Sequence, residues 1–521
     1  MKRLMKQVAF GLLIASGVAA SAQNELTIVR PTDPVALDPH LETTAPGSWV
    51  YSNILETLIT LSPEMELEPR LATEWEFVDD NRLRFTLRED VTFHDGTPFN
   101  AEAVKFTWER AFNPDSPGRW ASLAGPFEAV EVVDEYTVDI VTSQAYGPLL
   151  FTMTMPFTGI VSPTAVAELG DQFSRAPVGT GPFKFVEWRA NDRVVIEAND
   201  DYWRGRPELD RVVFRTVPEE GSRMLSLRTG EADMVLMPSP TDIAALETNP
   251  EFEVYAAEGV GVFYLGFNVT EAPTDNLLVR QALHHAIDRE LLVEAVLEGG
   301  GTLATSVISP PVFGYSDQKL DELYPYDPER AIELLEEAGY VRGADGMFAD
   351  ASGNPLVLSV LPSNGRSLKD LELAEVLQEF FRQVGVGAEL DVYEWATTFE
   401  IMRGAELPYN AFTFTWFTTT ADADYTMYAN YHSEETPPNS WNRWRYANDE
   451  VDALLEQARA SLDPQERLDA YAEVQAILAQ DVASVPLYNS LETAVVNSAV
   501  DGYVAHPIQY ILDLYPVTVN R

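Results

Sequence analysis

The stretch from Val260 to Gly301, VGVFYLGFNVTEAPTDNLLVRQALHHAIDRELLVEAVLEGGG, constrains the fold more than any other. Val260 to Phe267 is rich in aromatic and β-branched residues and reads as a strand. Asn268 to Asn276 is a polar connection containing Pro273. Val279, Ala282, Leu283 and Ala286 then fall at i, i+3, i+4 and i+7, which places them on one helical face. Asp288 is placed to cap a second helix with Leu292, Ala295 and Val296 on its apolar side, and Gly299 to Gly301 stop it. From residue pattern alone, this is a strand, a crossing loop and two helices in ordinary α/β packing.

A chain of 521 residues, 46% of them hydrophobic, is globular and long enough for more than one domain. Cysteine is absent, which excludes a disulfide framework, a cysteine metal site and a thiol nucleophile. The 82 acidic residues outnumber 35 basic ones, giving a net charge of −47 that should repel nucleic acid and anionic membranes. That charge is either a solubility device for life in salt or simply a solvated acidic surface, and it names no ligand. Residues 1–22 read as a signal peptide: Lys2, Arg3 and Lys6 precede an apolar run, and Ala20-Ser21-Ala22 fits small-x-small cleavage. With no cysteine to lipidate, the mature chain is expected to be free in a periplasm, not tethered.

The remaining patterns extend the reading. Glu25 to Arg30 is a short strand, followed by LDPHLETTAPGSWVYSNILETLIT with a helix expected from Trp49 to Leu58. Leu83, Phe85 and Leu87 alternate as a strand; His94-Asp95-Gly96 is a turn, and Asn100 can cap the helix containing Val104 and Trp108. Gly179, Gly181 and Pro182 make a tight turn into a hairpin of Phe183-Phe185 and Val194-Ile196. A phosphate loop is excluded there, because no GK[ST] follows. Asp327, Pro328 and Gly339 bound a helix. Phe412, Phe414 and Trp416 alternate on one side of a strand that runs into TTTADADY.

VRQALHHAIDRELLVEAVLEGGG…SPPVFGY, FTLREDVTFHDGTPF and VGTGPFKF…W…YW resemble the peptide/nickel family of extracytoplasmic solute-binding proteins that serve ABC importers. The resemblance covers essentially all of residues 25–521. It departs at Glu102-Ala103-Val104, where relatives usually carry Asp before the Val. It implies an α/β, two-lobed periplasmic-binding-protein fold (type II, cluster C) with an extra subdomain in the first lobe. The first lobe would hold 23–58, 175–263 and 486–521, the extra subdomain 59–174, and the second lobe 264–485. The hinge would then include Tyr264, Phe267, Asn268 and Pro486. His94 and Asp95 would be structural turn residues and not a catalytic pair.

The implied ligand residues are Thr43, Thr44 and Trp49 from the first lobe. From the second come Arg366, Trp416, Thr418, Thr419, Asp422 and Asp424. Trp416 would be a stacking wall and Arg366 an anion anchor, although a solvated loop arginine is an open alternative. Peptide-binding relatives usually carry an amine-anchoring Asp where Thr419 stands here, so that anchor is missing or moved to Asp422 or Asp424. WFTTTADADY looks closer to the glutathione-binding members. The resemblance implies capture of peptides, or alternatively of an oligosaccharide, nickel complex or haem, for delivery to importer permease subunits. The chain would act as a monomer with neither cofactor nor resident metal. A secreted hydrolase is the competing class, but no GxSxG or HExxH is present, and the neighbours His284 and His285 point roughly 100° apart on a helix.

Overall fold

The computed structural model describes residues 24–42, 44–113, 118, 120–438 and 440–521. The expected signal peptide and Thr43 lie outside the described residues. One 11-stranded sheet forms the backbone of the molecule. Its path runs Gly387–Leu390, Val357–Leu361, Ala411–Phe417, Phe252–Phe267, Ser484–Asn497, Met234–Leu236, Glu25–Arg30, Arg211–Thr216, Arg193–Ala198 and Phe183–Arg189. Gly301–Leu303 pairs with Ser484–Asn497 off this path.

Two strands cross the whole molecule. Phe252–Phe267 has 16 residues and Ser484–Asn497 has 14, and they pair antiparallel along their length. Their register shifts twice, between Glu258 and Val262 and again between Phe263 and Tyr264. Before the first, Phe252 to Glu258 pair with Asn497 to Leu491; after it, Val262 and Phe263 pair with Asn489 and Tyr488, and Tyr264 to Gly266 pair with Pro486 to Ser484. Glycines at 259 and 261 permit the first shift. A Cβ on Gly259 would come within 2.5 Å of Ser490 Oγ, and one on Gly261 within 2.7 Å of the Phe417 ring. A bulge there bends and twists the ribbon, and the two halves of the sheet separate into lobes.

Each half has its own core. In the first lobe Leu26, Ile28, Trp49, Phe214, Val496 and Leu514 pack together. In the second, Phe263, Leu265, Leu283, Leu335, Phe381 and Val485 do. The four-stranded sheet of Ala72–Asp79, Arg82–Leu87, Thr137–Thr142 and Phe127–Asp134, covered by helix Ala101–Ala111, sits apart from the main sheet. Its apolar residues run continuously into those of the second lobe, from Phe85 and Trp108 to Trp416 and Trp444.

The local signals act as their chemistry requires. Asn100, Asp288 and Asp327 each accept a backbone N–H in the first turn of the following helix. The His94 turn is a staple. His94 Nε2 lies 2.9 Å from Gly181 O, and the Asp95 carboxylate accepts from Ser162 Oγ at 2.5 Å. The first helix spans Ala45–Tyr51, earlier than expected, because Pro46 near its start favours initiation there.

A second register shift falls between Phe263, paired with Tyr488, and Tyr264, paired with Pro486, so two of the expected hinge residues sit at an irregularity of the crossing ribbon. Phe267 and Asn268 are further in, their amides donating to Ala483 O and Asn410 O. The ribbon is thus irregular at two places, Glu258–Val262, where two glycines lie, and Phe263–Tyr264.

Candidate ligand-binding cleft

The strand Ala411–Phe417 builds an aromatic wall. Alternation turns Phe412, Phe414 and Trp416 toward the shared apolar cluster. Trp416 meets Trp441 edge to face at 5.3 Å and Tyr425 at 5.4 Å, while Trp395 stacks on Phe414 at 5.8 Å. The Trp416 indole N–H is buried and has no acceptor among the described residues. A buried indole donor ordinarily finds one.

Three guanidinium groups converge on this wall. Arg366 lies 5.3 Å from the Trp395 ring centroid and 5.5 Å from that of Phe417. Arg403 lies 5.6 Å from Phe399 and 5.8 Å from Trp441. Arg443 lies 4.7 Å from Phe414 and 4.8 Å from Trp441. None of the three side chains has a carboxylate partner within ion-pair distance among the described residues, in a chain with 82 acidic residues. Asp370, which follows Arg366, spends its carboxylate on the amides of Gly365, Arg366 and Ser367.

Arg366 is solvent-exposed, yet enough protein surrounds its guanidinium to lower its pKa. Accessible surface with dense surroundings is the condition of a group in a cleft. Tyr510 and Tyr425 pull that pKa the other way. Tyr510 belongs to the first lobe, where it meets Trp120 edge to face at 5.9 Å. Arg366 is thus within electrostatic reach of a first-lobe tyrosine. Arg443 stands behind the wall, 0% exposed, with Nε and both Nη atoms lacking acceptors. Burial drags its pKa down to about 10. Aromatic faces attract such a cation but accept no strong hydrogen bond from it.

The acidic pair expected to hold a ligand amine has other work. Asp422 is 0% exposed, caps helix Ala423–Tyr431, and takes Arg467 Nη2 on both oxygens at 2.7 and 2.8 Å. Asp424 receives Arg459 through Nε and Nη2, both at 2.9 Å. Both carboxylates are internal ion-pair partners, which corrects their reading as ligand anchors. Thr418 is likewise committed, its Oγ1 2.7 Å from that of Thr426. Thr419 is buried, its hydroxyl donating to Phe417 O at 3.3 Å beside the wall. Trp49 donates its indole N–H to Gln509 O at 2.7 Å and packs in the first-lobe core. Thr44 caps the first helix by position only, leaving its hydroxyl buried and without a partner among the described residues.

The structure therefore brings together Arg366, Trp416 and Thr419, and adds Trp395, Tyr425, Trp441, Arg403, Arg443 and Tyr510. The alternation of Trp441, Arg443, Trp444 and Arg445 was the available sequence signal for part of this set. Among the described residues, no group of three His, Asp or Glu could hold a metal ion, and no helix is long and apolar enough to cross a membrane.

Residues 66–438 match the model of the bacterial extracellular solute-binding proteins, family 5. The chain belongs to this family. Its relatives include heme-binding protein A of Haemophilus influenzae, 31% identical over 94% of this chain and 92% of that one. The glutathione-binding protein GsiB of Escherichia coli is 32% identical over 91% of this chain and 92% of its own. The structure of HbpA2 from Haemophilus parasuis superposes with a TM-score of 0.86 at 29% identity, covering 96% of this chain and all of that one. The two-lobed family 5 fold accounts for the interleaving of the lobes along the sequence. Each crossing strand feeds both lobes, so neither lobe is one continuous segment.

Proposed function

We propose that this family 5 protein captures small peptide-like, carboxylate-bearing solutes between its lobes in the periplasm and delivers them to an ABC importer. The single observation that carries this reading is Arg366, a carboxylate-free guanidinium framed by Trp395, Phe414 and Phe417 in the cleft. A planar guanidinium binds a carboxylate through two parallel hydrogen bonds, and a closed, water-poor cleft strengthens them. Relatives named for glutathione support a peptide-type ligand. The chain does this as a monomer and without catalysis: it binds, closes, and presents the closed shape to the permease.

The test is titration calorimetry of the mature protein with di- and tripeptides and glutathione. R366Q should weaken carboxylate ligands about 10- to 100-fold, the range of a charged hydrogen-bond pair. W416A should weaken all bound solutes. Unchanged affinity in both variants would remove this cleft from the function. A second reading is favoured by the same wall. Wide aromatic faces with three guanidiniums suit a flat tetrapyrrole bearing two propionates, and a relative is named for haem. Haem titration followed in the visible spectrum decides between them.

A further inference from the structure

The crossing ribbon, paired through Gly261 with Phe417 beside Arg366, is the floor of the proposed site. Along Ser484–Asn497, side chains 494 and 496 turn into the first-lobe core with Tyr503, so Ser490 and Glu492 share their face. Across the ribbon, Gly259 and Gly261 present no side chain. A Cβ on Gly259 would come within 2.5 Å of Ser490 Oγ and 3.0 Å of Glu492 Oε1. One on Gly261 would come within 2.8 Å of Ser490 Oγ and 2.7 Å of the Phe417 ring that lies beside Arg366. Arg366, Phe417, Ser490 and Glu492 are therefore successive neighbours around Gly259 and Gly261. Tyr510 feels the charge of both ends, Arg366 and Glu492.

Neither acceptor on this floor is used. The Glu492 side chain has no hydrogen bond or ion pair among the described residues, and Ser490 Oγ is buried without a partner. We propose that Glu492, with Ser490 Oγ beside it, receives the ligand's ammonium group, supplying from the crossing strand the carboxylate that Thr419 lacks. This rests on the peptide reading and deepens it: an unpaired carboxyl and an unpaired guanidinium on either side of Phe417 fit a zwitterion. The surroundings agree. Burial pushes the Glu492 carboxyl up to about 8, and the titratable groups that face it are Tyr503 and Tyr510, with Tyr255 beside Tyr503. An ammonium placed against it would favour the carboxylate, so binding near neutral pH should release a proton.

Calorimetry of the mature protein in buffers of different ionisation enthalpy tests this, using a dipeptide and its N-acetyl form. Wild type should prefer the free amine at least tenfold and release a fraction of a proton. E492Q should lose both the preference and the release, and S490A should lose several-fold in affinity. Wild-type preference retained in E492Q overturns the proposal and leaves the peptide reading standing. If E492Q does not fold, the S490A affinity and the wild-type preference and proton release decide. Binding of haem but of no amine-bearing solute overturns both readings.

Discussion

Arg443 has the least comfortable environment of any residue around the cleft. Its guanidinium is fully buried with three nitrogens lacking acceptors, and its nearest charges, Arg403 and Arg366, repel it. A desolvated aromatic face offsets about 2 kcal/mol or more of such burial, against several kcal/mol of desolvation with no hydrogen bond to a nitrogen. A residue kept at that cost adds positive potential to a cleft in a strongly acidic protein. R443M should therefore raise the urea midpoint of the empty protein while lowering affinity for anionic ligands, by less than R366Q does. A lower midpoint with unchanged affinity would make Arg443 a packing residue only. Arg366 was legible from Asn364-Gly365-Arg366 because a short polar break places it at a strand end. Arg443 was not, because its environment is made by Phe399 and Phe414, which only the tertiary fold brings to it.

At the level of elements, helix Ala423–Tyr431 is held by long-range charge. Asp422 and Asp424 at its start reach Arg467 and Arg459 on helices Pro464–Asp481 and Asp449–Ala460. Removing one member of a buried pair strands the other, at about 3–5 kcal/mol. D422N should lower stability by that amount in urea denaturation, and the folded fraction should bind ligand with wild-type affinity. A selective loss of affinity without loss of stability would restore Asp422 as a ligand residue. The sequence showed two acids after a tryptophan and allowed a ligand role. It could not show that two arginines some distance along the chain had claimed them. Caps, in contrast, are local chemistry, and Asn100, Asp288 and Asp327 were readable directly.

At the scale of the whole molecule, function depends on two strands that belong to both lobes. The crossing from Val260 was visible as a strand, and the family resemblance supplied its meaning. The bend at residues 259–261 was not, because a register break is a property of paired strands and not of either sequence alone. A ligand shifts the closed population only by its differential affinity for the closed state. A side chain at Gly259 would fill the space above Ser490 and Glu492, exactly where the ligand's amine and the folding ribbon must both fit. Because its φ is not in the left-handed region, G259A tests that space with no added backbone strain. Wild type should contract on ligand addition, seen as a smaller radius of gyration in solution scattering. G259A should keep its circular dichroism, bind at least tenfold more weakly and contract less at matched ligand concentration. If it contracts as fully and binds as tightly as wild type, the ribbon bends elsewhere and the floor is not part of the site.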